Sequence, residues 1–177
     1  MSGRSRRPAA RAAGRIAQGL EFLIPKRAER IDAELHRLLT PAELRLVLPL
    51  SVADRAHLLV VHQRLVQCGW RDSALLNAAL LHDVGKVDDR ARVGLIHRTL
   101  AVLLRACAPG LLARLATPSD AAWRHPFWLV REHATLGAQK ARDAGCSERV
   151  CWLIEHHHDA VVGDDAELLA LQRADEG

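Results

Sequence analysis

Aromatic residues are scarce in this sequence: tyrosine is absent, and phenylalanine and tryptophan together make up only 3% of the 177 residues. β-Rich folds bury many aromatic and β-branched side chains, so this scarcity argues against a sandwich or a barrel. Leucine, alanine and valine dominate the hydrophobic residues, and the first two favour helices. The composition therefore predicts an all-α protein with one domain and a sizeable core.

Long hydrophobic runs are also missing. Arginine, aspartate or histidine interrupts every apolar stretch well before the roughly 18 residues that a membrane-spanning helix requires. No apolar core of a signal peptide follows the N terminus. We therefore expect no transmembrane segment.

The four cysteines form no C-x-x-C pair, which argues against a zinc knuckle or a disulfide framework. Buried, reduced thiols are the simplest interpretation, and they predict a cytoplasmic protein. The cysteines are Cys68, Cys107, Cys146 and Cys151.

Acidic residues are absent before Glu21, although this segment is rich in arginine. We interpret residues 1–20 as a basic arm, which is either a solvated tail or a contact for an anionic surface such as nucleic acid or membrane. The scarcity of aromatic residues removes the usual platform for stacking nucleic-acid bases. The arginines are Arg4, Arg6, Arg7, Arg11 and Arg15.

Helical patterns fill the rest of the chain. Residues 21–50 predict a helical extension, in which Thr40 and Pro41 are typical of an N-cap followed by proline at the first helical position. The helix after this extension is expected to end at Gly69. An almost continuously apolar helix then runs to His82-Asp83, with Gly85 as its end, and we expect it to lie at the centre of the fold.

The second half of the chain predicts five more helices. Residues 97–116 form two amphipathic helices around Pro109-Gly110, with a membrane-surface role as the alternative. After a proline-bounded linker, glycines separate three further helices, which are expected over about 128–144, 147–158 and 164–174.

Ten histidines are many for this length, and several fall near predicted helix ends. An aspartate beside a histidine at the edge of a core, as in His82-Asp83, is costly unless something compensates its charge. A divalent cation would compensate it, because neutral imidazole and carboxylate are common metal ligands. The other candidates are His57, His133, His156, His157, His158 and Asp175.

Each candidate has an ordinary structural explanation when it is taken alone. His57 would be a partly buried helix residue, and His133 would open a later helix. The triple-histidine run would cap a helix C terminus through the helix dipole, and Asp175 would be an exposed tail carboxylate. Antiparallel helices can bring all of these positions together, however, and the set as a whole therefore favours a metal site.

Five ordered segments resemble the HD superfamily of metal-dependent phosphohydrolases. Residues 78–86, Ala-Ala-Leu-Leu-His-Asp-Val-Gly-Lys, resemble its signature in the HDIG variant. The other four segments resemble the first ligand helix, the H-x-x-x-G-A segment, the I-x-x-H-H segment and the closing A-D pair; they are residues 55–61, 133–138, 153–159 and 174–176.

The resemblance covers about residues 51–177 and departs from the pattern in two respects. Residues 88–128 form an insertion that compact members lack. The Gly-Tyr-Pro extension of the cyclic-di-GMP phosphodiesterases is also missing, because Lys86-Val87-Asp88 follows Gly85. The second departure argues against that substrate.

The resemblance implies a compact all-α HD-domain bundle with an N-terminal helical extension and a divalent metal centre. The implied core ligands are His57, His82, Asp83 and Asp175. His133 and one residue of the triple-histidine run would complete a second site, with His157 preferred to His158 and with Asp83 bridging two ions. A ligand set without thiolate suits Mn, Fe, Co, Ni or Zn better than Mg.

The implied activity is hydrolysis of a small phosphate ester, such as a nucleotide or a cyclic nucleotide, by metal-activated water. Asp83 and Lys86 would be catalytic, and Lys86 and Arg55 are candidates for contact with the phosphate. The alternative for Lys86 is a cap on the helix C terminus. Two other functions stay open: a di-iron oxygenase of the same superfamily, and a signalling module whose metal site is not catalytic.

Overall fold

The computed structural model describes residues 26–118, 121–159 and 164–177, so the basic arm and Gly163 lie outside the described residues. Within these ranges every regular element is helical, and an isolated bridge between Val87 and Arg92 is the only β feature. The prediction of an all-α protein is confirmed.

The helices of the described residues follow one another with short connections. They are α1 (26–38), α2 (Pro41–Val47), α3 (Val52–Gln67), α4 (Ser73–Leu81), α5 (Leu95–Cys107), α6 (Pro109–Leu115), α7 (His125–Asp143), α8 (Glu148–His156) and α9 (Ala166–Glu176), with a 3₁₀ turn over Val84–Lys86 between α4 and α5.

Local sequence signals account for most of these helix ends. The predicted N-cap at Thr40 is confirmed, because its side chain accepts the Glu43 N–H while the Glu43 carboxylate accepts the Thr40 N–H. Gly69 and Gly145 follow α3 and α7 with φ of 92° and 85°, the left-handed conformation that glycine adopts most easily. Four further N-caps accept a backbone N–H of the first turn; they are Ser51, Asp72, Ser147 and Asp165.

One hydrophobic core unites the N-terminal helices with the helices that carry the candidate site. Leu35 of α1 and Val47 of α2 are fully buried in the same cluster as Leu58 of α3 and Ile154 of α8. Helix α4 lies at the centre of this core, as its apolar sequence predicted, since five of its nine residues are buried. Residues 26–50 therefore pack as part of the domain core.

Helices α5 and α6 lie beside this core and have a small apolar cluster of their own. Ala101, Ala116 and Phe127 are buried together where the two helices meet α7. The prediction of two helices over 97–116 is confirmed, with the break at Pro109. No described helix is long and apolar enough to cross a membrane.

Three sequence expectations are wrong in detail. Helix α4 ends at Leu81 with His82 as its C-cap, so Gly85 does not terminate it. Helix α7 begins at His125, which places His133 in its interior rather than at its start. Two of the four free thiols, Cys68 and Cys107, are exposed rather than buried.

Candidate metal centre

Five helices bring the candidate ligands to one place. The C-terminal end of the central α4 presents His82 and Asp83, and α3 and α9 pack on it with His57 and Asp175. His133 comes from the interior of α7, and His157 and His158 follow the end of α8. The convergence that the sequence predicted is therefore present.

A first group consists of His57, His82, Asp83 and Asp175. One ligand atom from each of His57, His82 and Asp83 lies within 4.8 Å of the others. The Oδ1 atom of Asp175 lies 2.7 Å from His57 Nε2 and 3.3 Å from His82 Nε2. Two imidazoles and two carboxylates thus lie close together, and this is an ordinary set of ligands for a divalent cation.

A second group consists of His133, His157 and His158, whose ligand atoms also lie within 4.8 Å of one another. The Nε2 atoms of His133 and His158 are 3.0 Å apart. Asp83 lies between the two groups, because its Oδ1 atom is 3.7 Å from His82 Nε2 and 3.8 Å from His133 Nε2.

Three of these imidazoles are oriented by the same kind of hydrogen bond to the backbone. The Nδ1 atoms of His82, His133 and His157 each bind the backbone carbonyl three residues earlier, at 3.0, 2.8 and 2.6 Å. A carbonyl can only accept, so Nδ1 carries the proton and the lone pair of Nε2 is free for a metal. Hydrogen bonds of this kind fix the tautomer and the ring orientation of metal-binding histidines.

The first histidine of the triple run has different contacts. Its Nδ1 atom binds the Trp152 carbonyl at 2.8 Å, and the His156 ring stacks on the Trp152 indole with centroids 4.4 Å apart. His156 therefore packs along α8, whereas both His157 and His158 belong to the second group.

The electrostatic environment favours neutral imidazole at His133 and His157 and an ionised carboxylate at Asp83. At His82, burial alone would lower the pKa, but the Asp83 and Asp175 carboxylates outweigh burial and raise this pKa. Burial lowers the pKa of His133 to about 4 and the pKa of His157 to about 2, so both rings are neutral at pH 7. Burial alone would raise the pKa of Asp83, but the charges of His82 and Lys86 outweigh burial and lower this pKa well below its ordinary value. The protonation states of Asp83, His133 and His157 are therefore those that metal binding requires.

Several buried polar atoms of the site have no partner of their own. Among the described residues, His82 Nε2, Asp83 Oδ1 and His157 Nε2 are shielded from solvent and make no hydrogen bond of good geometry. Leaving such atoms unsatisfied costs about 1–3 kcal/mol each. All three face the two groups described above, and a cation there would satisfy them. The residues present fit a divalent metal centre.

The two proposed phosphate contacts have different environments. The Lys86 ammonium lies 2.5 Å from Asp83 Oδ2 and lines a cavity of about 500 Å³ together with His133 and His158. Arg55 is buried and uses its guanidinium to bind the Leu48 and Leu50 carbonyls. An ion pair with Asp32 completes this network, so the guanidinium of Arg55 is already engaged in contacts that support the fold.

Sequence reasoning missed the arginines that line the same cavity. Arg98 and Arg105 of α5 and Arg131 of α7 contribute to its wall. The available signal was the seven-residue spacing of Arg98 and Arg105, which places both on one face of a helix. Only the docking of α5 against α7 shows that this face meets the site.

The family model described as HD domain matches residues 49–176, which is most of the chain. The match confirms the resemblance of the motifs to this superfamily. No curated protein and no solved structure matches the chain.

Proposed function

Because the chain belongs to the HD domain family, we propose that it is a metal-dependent phosphohydrolase that cleaves a small phosphate ester. Members of this family are mostly metal-dependent hydrolases. The observation that carries the proposal is the proximity of two ligand groups. The ligand atoms of His57, His82 and Asp83 lie within 4.8 Å of one another, as do those of His133, His157 and His158. Asp83 Oδ1 of the first group lies 3.8 Å from His133 Nε2 of the second.

We propose that the centre holds two divalent ions. The first would bind His57, His82 and Asp175, the second would bind His133, His157 and His158, and Asp83 would contact both. A bound pair supplies Lewis acidity toward phosphoryl oxygens and a water of near-neutral pKa. The absence of thiolate from the ligand set favours Mn, Fe, Co, Ni or Zn over Mg.

The other contributions come from side chains of the chain itself. Neutral His133 and His157 keep their Nε2 lone pairs available at pH 7, because burial lowers the pKa of both. Lys86 would hold the Asp83 carboxylate in place and present its positive charge to a phosphate in the adjoining cavity. This role is supported by its 2.5 Å contact with Asp83 and by its place in the cavity wall.

The test is a hydrolysis assay with matched variants. The full chain, loaded in turn with Mn, Fe, Co, Ni, Zn or Mg, would be offered p-nitrophenyl phosphate, bis(p-nitrophenyl) phosphate and a panel of nucleotides. Hydrolysis that Asp83→Ala abolishes and His156→Ala preserves would support the proposal. Activity that is unchanged in Asp83→Ala would overturn it, and oxygen consumption by the iron-loaded chain without hydrolysis would favour the oxygenase alternative.

Two further expectations stay proposals. A cytoplasmic location is supported by the four free thiols. Contact of residues 1–20 with an anionic surface rests on the sequence alone.

A further inference from the structure

We propose that the centre acts on a phosphate ester that carries a second phosphate group, and that arginines of α5 and α7 bind this second group. The inference rests on the proposed function, since it names the substrate class of the same site. It depends on the cavity that begins at the candidate metal centre and continues under α5.

The cavity joins the site to a basic wall. Its volume is about 500 Å³, within the range of pockets that hold small molecules. His133, His158 and Lys86 line it from the side of the metal centre, while Arg98, Arg105 and Arg131 also lie in its wall. One ligand can therefore contact both the centre and the arginines.

Helix α5 presents a continuous face to this cavity. Arg98, Ala101, Val102 and Arg105 all line it, and their spacing is that of one helix face. The two arginines are seven residues apart, which is about 10 Å along a helix at 1.5 Å per residue. Basic groups thus extend for about 10 Å along the α5 side of the cavity wall.

The three arginines differ in the contacts that they already make. Arg98 forms an ion pair with the buried Asp54, which ties α5 to α3. Arg131 is exposed and, among the described residues, binds only the neighbouring Glu132 through Nε. Arg105 is exposed and has no hydrogen bond or ion pair within the described part of the chain. Arg105 and Arg131 are therefore available to bind a ligand.

The chemistry of the wall selects for anionic groups. Among the described residues, four cations line the cavity, namely Lys86 and the three arginines, against the two carboxylates of Glu155 and Asp159. Three of the cations, all except Arg105, already pair with Asp83, Asp54 or Glu132. The planar guanidinium matches two phosphate oxygens at once, which a single ammonium cannot do. No tryptophan or phenylalanine is among the described residues of the wall, so it offers no aromatic platform for a base. These side chains therefore recognise a ligand by its negative charge.

The test uses two probes that differ only in the second anionic group, propylphosphonate and propane-1,3-diylbisphosphonate. Their C–P bonds resist hydrolysis, so calorimetric titration of the Mn-loaded full chain measures binding without turnover. We expect the bisphosphonate to bind about tenfold more tightly than the monophosphonate, as charge-assisted hydrogen bonds to two arginines would give.

Matched variants decide the origin of this preference. Arg105→Ala/Arg131→Ala should remove the preference for the bisphosphonate over the monophosphonate. Arg45→Ala removes an exposed arginine of α2, outside the cavity, and should preserve it. Because both cavity arginines are exposed, an unchanged circular dichroism melt is expected and would exclude misfolding.

The outcomes separate this inference from the proposed function. Equal affinities for the two probes in the wild type, or a preference that survives in the double variant, would overturn the second anion subsite even if the chain hydrolyses phosphate esters. An arginine-dependent preference in a chain without hydrolase activity would support the subsite and reject the phosphohydrolase.

Discussion

The backbone of Gly85 packs directly against the backbone of His133, since a Cβ atom on Gly85 would lie 2.0 Å from the His133 carbonyl oxygen. One turn later in α7, a Cβ on Gly137 would lie 3.2 Å from the Ile154 side chain and 3.4 Å from the Gly85 nitrogen. The two motif glycines thus let the turn after Asp83 and helix α7 touch. This contact joins the turn that follows Asp83 to the helix that carries His133, and His133 Nε2 lies 3.8 Å from Asp83 Oδ1.

Gly85→Ala should push the turn that follows Asp83 away from helix α7, which carries His133. The added methyl meets the backbone of α7, which cannot move aside as a flexible side chain would, so we expect a loss of about 3 kcal/mol in the free energy of unfolding. Urea denaturation would measure it. Gly110→Ala is the matched control, because a Cβ there has open space; equal stability of the two variants would refute the close backbone contact.

His156 and His157 are adjacent, yet their replacement should have different effects. His157→Ala removes a buried Nε2 atom of the second group and should weaken metal binding at least about tenfold, a typical minimum even for residues that only support a ligand. His156→Ala removes a ring that stacks on Trp152 and should leave metal affinity unchanged. Titration with a competing chelator would compare them, and equal losses in both variants would contradict the assignment.

Glu43 should make stability depend on pH in acid. Burial alone would raise the pKa of Glu43, but hydrogen bonds from Asn77 and Thr40 outweigh burial and lower this pKa below its ordinary value of 4.5. A carboxyl group whose pKa is lower in the folded state than in the unfolded state stabilises the protein at pH values above its unfolded-state pKa. This stabilisation is lost as the pH falls through the folded-state pKa. Wild-type stability should therefore decline below about pH 4.5.

Glu43→Gln provides the comparison for this effect. It should be about 1–2 kcal/mol less stable than wild type at pH 7 and should lose less stability in acid. Glu34→Gln, at a more exposed carboxylate paired with Arg37, should keep the wild-type profile. Parallel stability curves for wild type and Glu43→Gln between pH 3 and 7 would show that Glu43 does not contribute in this way.

The four thiols should react at two distinct rates. Cys68 and Cys107 are exposed, whereas Cys151 is buried. Burial and the neighbouring Glu43 carboxylate raise the pKa of Cys146 to about 12, so this thiol stays protonated at pH 8. A colourimetric thiol reagent at pH 8 should titrate two cysteines quickly and the other two only after denaturation. Equal reaction rates for all four cysteines would contradict these differences in exposure and pKa.

Much of the fold could be predicted from the sequence because its signals are local. The N-cap at Thr40, the left-handed glycine at Gly69 and the apolar composition of α4 are properties of neighbouring residues. The candidate ligands were also recognisable, because motif spacing and residue type together limit what a histidine or an aspartate can do.

The remaining features depend on tertiary contacts that no local pattern contains. The clash that requires glycine at position 85 involves a backbone 48 residues later, and Gly85 was therefore mistaken for a helix terminator. Arg55 lies two residues from His57, but its guanidinium binds carbonyls of the preceding loop. The arginines of α5 became part of the cavity only through the packing of that helix on α7.

Anomalous diffraction from crystals of the Mn-loaded full chain tests the central claim most directly. We expect two anomalous peaks roughly 3.5–4 Å apart. One should lie among His57, His82 and Asp175, the other should lie among His133, His157 and His158, and Asp83 should contact both. A fully loaded crystal with no peak at these residues, or with manganese bound elsewhere, would contradict the account.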